Sequence, residues 1–249
     1  MNAKRLLVSV AAGALALAIG VSPAMAQEKK PEAPKSTPTQ PATPDTPKAD
    51  APKKDKDKDK AKKSDVAEIK IGDAAPAFKL KDTAGKEWNL SELTKSGKIV
   101  VLQWFNPECP YVKKHYNGDS KTFNEMATKF KDKNVVLLAV NSGPAGGPGT
   151  GVERNAEAAK KWDMNYPILI DDTQSVGKAY GSKNTPNMVV IGKDGKIAYT
   201  GAIDDNDGPD KPGKTNYVVK AVEELQAGTS VSNSKTKPYG CHITYKGDN

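Results

Sequence analysis

Apolar and polar positions along this chain follow two rhythms. An uninterrupted run, Ile99-Val-Val-Leu102, continues through Trp104 and Phe105. Short, β-branched and aromatic, it predicts a buried strand. Val135 to Val140 and Ile168 to Ile170 carry the same signature. Period two appears at Phe78 and Leu80 and again at Trp88 and Leu90, on either side of the polar turn Asp82 to Lys86, which predicts a hairpin. Ser91 opens a short helical turn. Helical spacing runs from Pro110 to Phe130, from Val152 to Trp162 and from Ser175 to Tyr180, where Gly181 ends it. It returns at Tyr217 to Gln226, with Val218, Ala221, Val222 and Leu225 on one face. Pro186 cannot donate to a sheet ladder, so it sits at the start of the strand reaching Ile191. Asp194-Gly195 then turns that strand into Ile197 to Thr200. The pattern predicts an α/β domain.

The first 66 residues have a different character. Lys4 and Arg5 precede an apolar run, Leu6 to Gly20, and Ala24-Met25-Ala26 has the form of a cleavage site. The run is too short for a membrane span. Residues 1–26 are therefore expected to be a signal peptide, and the mature chain an exported one, periplasmic or secreted. From Gln27 to Val66, prolines recur every few residues and Lys53 to Lys60 is almost wholly charged. With almost nothing to bury, this stretch is expected to be a solvated linker. Its 11 Lys and 8 acidic residues, with Lys4 and Arg5, account for most of the formal charge of +8. The remaining domain, 67–228, carries little net charge, so the high pI gives no argument for nucleic-acid binding. A polar tail, 229–249, carries Cys241.

Chemistry concentrates at Cys109. Asn106-Pro107-Glu108 breaks the first buried strand, and Pro110 suits the first position of a helix. Cys109 is then expected at the N-cap, facing free backbone N–H groups and the positive end of a helix dipole, which favour the nucleophilic thiolate. The mature chain has two cysteines, Cys109 and Cys241, and three uses for them stay open: a structural disulfide, a redox cycle in which Cys109 attacks and Cys241 resolves, or two free thiols. On a polar tail, Cys241 is expected to approach and leave freely. His115 lies six residues beyond Cys109 and is expected to face elsewhere; His242 is expected in solvent. Two Cys and two His so far apart make no metal cluster. The Gly/Pro loop Ser142 to Gly151 lacks both phosphate-cradling patterns, and Asp204 to Gly208 fails the calcium-loop spacing. No cofactor is expected. Asp204 to Gly208 reads as a polar rim loop.

Asn106-Pro-Glu-Cys109-Pro-Tyr-Val-Lys113 at a strand-to-helix turn resembles the site of thioredoxin-like redoxins of the AhpC/TSA, peroxiredoxin-like family, in an exported group reading roughly C-x-x-C-P-Y-V-K. The opening Gly72-Asp73 to Gly85-Lys86 and the Gly240-Cys241 tail are similar to the same family. The resemblance implies a thioredoxin-like fold, a central mixed β-sheet flanked by helices with an N-terminal β-hairpin. It also implies a thiol oxidoreductase whose attacking sulfur is Cys109. Pro110 would follow it, and Thr185-Pro186 would be a cis pair packed beside it, with the Thr185 backbone free to pair with a substrate chain. Asn106 replaces the first cysteine of the family's pair, so no local dithiol exists. A peroxidase cage would find Leu102, Asn106 and Lys183 where the family has Pro, Thr and Arg. The implied partners are a disulfide-bearing protein or a small hydroperoxide, and a thiol electron donor. A redox-inert, thioredoxin-like binding module with a structural Cys109–Cys241 bond is the alternative.

Overall fold

The computed structural model describes residues 66–247; the expected signal peptide and nearly all of the linker lie outside that range. Seven strands form one mixed sheet. The hairpin β1 (Lys79–Asp82) and β2 (Glu87–Asn89) sits at one edge. Asp82 fixes its turn by accepting from the backbone N–H of Ala84 and Lys86 and from Trp88 Nε1 at 2.8 Å. Asn89 then caps α1 (Leu90–Lys95), accepting from the Ser91 N–H. β3 (Ile99–Trp104) is buried at every position and lies centrally, parallel to β4 (Val135–Asn141). β5 (Ile168–Ile170) joins β4 in parallel and β1 in antiparallel register. On the other side of β3 come β7 (Met188–Ile191) and β8 (Ile197–Gly201), both antiparallel, giving the order β2-β1-β5-β4-β3-β7-β8.

Helices cover both faces, producing two apolar layers. One contains Phe105, Val112, Phe123, Met126, Ala221 and Val222; the other contains Phe78, Leu102, Trp104, Leu138, Tyr180 and Tyr245. The α/β, thioredoxin-like architecture with an N-terminal hairpin is therefore present. α4 (Val152–Lys161), α5 (Ser175–Ala179) and α6 (Tyr217–Gln226) fall where the spacing places them.

Two expectations need correction. The helical pattern after Cys109 is not one helix but two, α2 (Pro110–Lys113) and α3 (Thr122–Phe130). Gly118, at φ +60°, reverses the chain between them, in backbone space that other residues enter with strain. The break lets Tyr116 turn inward and stack on Trp162, with ring centroids 4.7 Å apart. The tail is also not loose. Its β9 (Cys241–His242) pairs antiparallel with β6 (Asn184–Thr185), and Tyr239, Ile243 and Tyr245 are buried.

Candidate active site

The site lies where β3 ends. Phe105 continues the buried run, and Asn106 and Pro107 turn the chain so that Cys109 becomes the N-cap of α2 with Pro110 at N1. Pro110 is exposed at the first position of α2. Cys109 itself is buried, 3% exposed, and its Sγ donates to the carbonyl of Thr185 at 3.0 Å. Thr185-Pro186 is a cis peptide, as the resemblance implies. The sulfur makes no capping bond to free amides, and α2 is a single turn, so the expected dipole environment is reduced. The backbone N–H of Tyr111, at N2, acts on the Cys241 thiol, favouring its ionised form.

Both cysteines are free thiols, and the pairing of β9 with β6 brings Cys241 close enough to Cys109 for the two thiols to influence each other's ionisation. Burial, then the Cys109 hydrogen bond and charge, push the Cys241 thiol up to about 12. The β6–β9 register sets Thr185 opposite Cys241, so the backbone of Thr185 is not free for a substrate; the chain's own tail occupies it. A cavity of about 230 Å3 reaches Cys241 and Thr185, the residue whose carbonyl Cys109 contacts, and is also lined by Phe105, Asn106, Ser142 and Pro148. The larger cavity, about 750 Å3, is lined by Val66 to Ile69 and Lys183 among others and touches neither cysteine, so the smaller one is the candidate entrance.

Asn106 shapes that entrance. Its Nδ2 donates to the Pro148 carbonyl at 3.0 Å, and its Oδ1 accepts from the Glu108 N–H at 2.8 Å. Gly149, at φ +75°, leaves room for this amide; a Cβ there would lie 2.1 Å from Asn106 Oδ1. Asn141 and Asn155 hold the same Gly/Pro loop from beneath, through the Gly149 and Gly151 carbonyls. Thus Ser142 to Gly151 forms a wall of the site rather than a phosphate cradle. Next to Cys109, Glu108 binds Arg154 Nε at 2.8 Å and Lys113 Nζ at 3.1 Å. The Arg154 guanidinium, and then the Lys113 ammonium, hold its carboxyl below the usual range. Lys183 is exposed on the other cavity and stands at no peroxide-binding position.

Several functional neighbours escape sequence reasoning. His115, expected only to face away from Cys109, is fully buried, with Nε2 3.3 Å from the Tyr239 hydroxyl oxygen. Tyr239 donates to Asp204 Oδ1 at 2.7 Å, and Lys114 sits 4.3 Å from the Tyr239 ring centroid. Lys114 also donates to the carbonyls of Asn206 and Gly208, and burial lowers its pKa against the pull of Asp204 and Asp207. Asp205 and Asp207 remain exposed at the rim, but Asp204 is a buried anchor, correcting the reading of a merely polar loop. Further along the tail, Gln174 donates to the Thr244 carbonyl and accepts from the Lys246 N–H. Tyr239, Cys241, Ile243 and Tyr245 alternate with exposed or half-buried residues, a period-two signal already visible in the sequence. His242 is exposed, as expected. Among the described residues, no cluster of three His, Cys, Asp or Glu side chains could hold a metal, and no helix is long and apolar enough to cross a membrane.

The AhpC/TSA family profile matches residues 71–200, which include Cys109 and the Thr185-Pro186 corner. The chain is 32% identical over 129 residues to "Thiol-disulfide oxidoreductase ResA" of Geobacillus thermodenitrificans, covering 52% of this chain and 67% of that protein. The protein of the same name from Halalkalibacterium halodurans is 29% identical over 142 residues, covering 56% and 74%. Among solved structures, an uncharacterized conserved protein from Geobacillus kaustophilus aligns with a TM-score of 0.64 at 28% identity, covering 72% of this chain and 94% of its own. A hypothetical protein from Sinorhizobium meliloti 1021 aligns with a TM-score of 0.63 at 25% identity, covering 73% and 98%.

Proposed function

This chain belongs to the AhpC/TSA family, and from that premise we propose that it is an exported thiol-disulfide oxidoreductase in which Cys109 attacks and Cys241 resolves. The observation that carries the reading is the meeting of three groups: the Cys109 sulfur, the Thr185 carbonyl 3.0 Å away, and Cys241, set opposite Thr185 by the β6–β9 register.

Cys109 gives up its proton and attacks one sulfur of a substrate disulfide. The substrate S–S bond breaks, and the departing thiolate takes a proton from solvent. The mixed disulfide removes the charge and hydrogen bond with which Cys109 helps keep Cys241 protonated. Cys241 then ionises more readily and attacks the Cys109 sulfur, releasing the second substrate thiolate. Two electrons pass from the protein's thiols to the substrate, leaving a Cys109–Cys241 disulfide for an external thiol donor to reduce. A hydroperoxide route would instead make a sulfenic acid at Cys109 and lose water on condensation with Cys241. It has less support: the Asn106 amide is engaged by Pro148 and Glu108, and no guanidinium stands at the Lys183 position.

The test compares reduction of a model disulfide with consumption of hydrogen peroxide by wild type, Cys109→Ser and Cys241→Ser. Disulfide reduction should vanish without Cys109 and should stall at a trapped mixed disulfide without Cys241. Unchanged rates in both variants would refute the reading. Export rests on Lys4, Arg5, the apolar run Leu6 to Gly20 and Ala24-Met25-Ala26, and is checked by sequencing the mature N-terminus, expected at Gln27.

A further inference from the structure

We propose that the tail from Gly240 to Lys246 is a self-docked strap that takes the place of a polypeptide partner, so that the reduced protein exchanges with small disulfides and admits polypeptide disulfides only when the strap lifts. This rests on the exchange chemistry proposed for Cys109.

An extended peptide can bind a sheet by adding a strand to a free edge. The edge beside Cys109 is β6, and here β9 already fills it, Asn184 against His242 and Thr185 against Cys241. The approach is close. Gly240 has φ +113°, and a Cβ there would lie 2.1 Å from the Thr185 carbonyl oxygen, so only glycine can precede the cysteine in this register. Beyond β9, the Ile243 N–H donates to the Lys183 carbonyl at 2.9 Å, and Tyr245 donates to the Ser182 carbonyl at 2.6 Å. Gln174 clasps the strap on both sides, donating to the Thr244 carbonyl at 2.8 Å and accepting from the Lys246 N–H at 2.7 Å. With the strap in place Cys109 is 3% exposed, and the approach beside it is the cavity of about 230 Å3 that reaches Cys241 and Thr185, whose carbonyl lies 3.0 Å from the Cys109 sulfur; it has room for a small disulfide and none for a polypeptide. The strap therefore sets substrate size, separately from the resolving role of the cysteine it carries.

Two variants loosen it without touching the sulfurs. Gln174→Gly removes the clasp, and glycine suits the φ of +60° at that position. Ile243→Asp places a charge where the strap is buried and leaves the domain's own side chains unchanged. The first readout is alkylation of reduced Cys109, mapped by mass spectrometry, with iodoacetamide and with a bulky polyethylene-glycol maleimide, each normalised to a free peptide thiol. The bulky reagent should be nearly excluded from wild type. It should react about tenfold faster in either variant, the factor that about 1.4 kcal/mol of lost docking produces, with a smaller change for iodoacetamide. The second readout is turnover of insulin disulfides relative to hydroxyethyl disulfide, a ratio expected to rise in the same variants. Equal acceleration of both reagents in Gln174→Gly, with near-UV dichroism intact, would overturn the strap, as would ready labelling of wild-type Cys109 by the bulky reagent. Loss of all disulfide turnover with the labelling contrast intact would instead refute the exchange chemistry and leave the strap standing.

Discussion

Acidification should weaken this fold through His115. Tyr239 gives its hydroxyl proton to Asp204, so His115 Nε2, facing the same oxygen at 3.3 Å, must be the donor. That defines a neutral imidazole whose Nδ1 accepts from Thr122 Oγ1 at 3.3 Å. Burial pushes the His115 pKa down to about 4, with the Asp204 carboxylate opposing and the Lys114 ammonium reinforcing the shift. In the unfolded chain the ring titrates near 6.5. Above that pH neither state binds the proton, and the histidine's contribution is fully present. Between about pH 6.5 and 4 the unfolded chain takes up a proton that the folded chain refuses, so stability falls with pH; below 4 the loss is complete. The separation of the two pKa values corresponds to about 3 kcal/mol. His115→Gln keeps an amide donor for Tyr239 and removes the titration. Urea unfolding of both proteins, at intervals from about pH 7 to pH 4, isolates the effect because carboxylates common to both cancel in the difference. The wild-type advantage should shrink by about 3 kcal/mol on acidification. Two curves that stay parallel across that window would refute the reasoning.

Other consequences are as direct. Gly240→Ala should release the tail, since left-handed backbone costs a residue with a Cβ about 1–2 kcal/mol and the Thr185 carbonyl blocks that Cβ; Cys241 should then alkylate several-fold faster, and an unchanged rate would count against the observed register. Asp82→Ala should cost about 2 kcal/mol by urea unfolding, because Trp88 Nε1 and two turn amides lose their acceptor. Arg154→Ala should raise the pKa of Glu108 toward its ordinary value, read by carbon-13 titration of the carboxyl; no movement would mean that the Lys113 contact alone holds it.

The parts of this protein legible in the sequence are those decided locally. β3 declares itself by an unbroken apolar run, the Asp82 to Lys86 turn by its polar cluster, and the Cys109 N-cap by the proline that follows. The Thr185-Pro186 corner is legible through resemblance, because its meaning comes from what packs beside it. What escapes is long-range. Lys114 and Asp204 lie ninety residues apart in the chain, and nothing near either one signals that both are buried together. The break between α2 and α3 is marked by Asn117-Gly118-Asp119-Ser120, a turn cluster overlooked because the polar-apolar pattern resumes beyond it. The docked tail was readable in principle: its period-two pattern is short, and the polar residues before it, from Gly228 to Lys235, draw attention away from it.

The contact between Cys109 and Cys241 joins electron count to folding. A covalent bond there would close a loop of about 130 residues, and tying such a loop removes unfolded-chain entropy worth roughly 5 kcal/mol. The thermodynamic cycle works in both directions: whatever the bond adds to the native structure, the native structure adds to the bond. The oxidised protein should therefore melt well above the reduced one, and the donor that completes the cycle must be the stronger reductant for it.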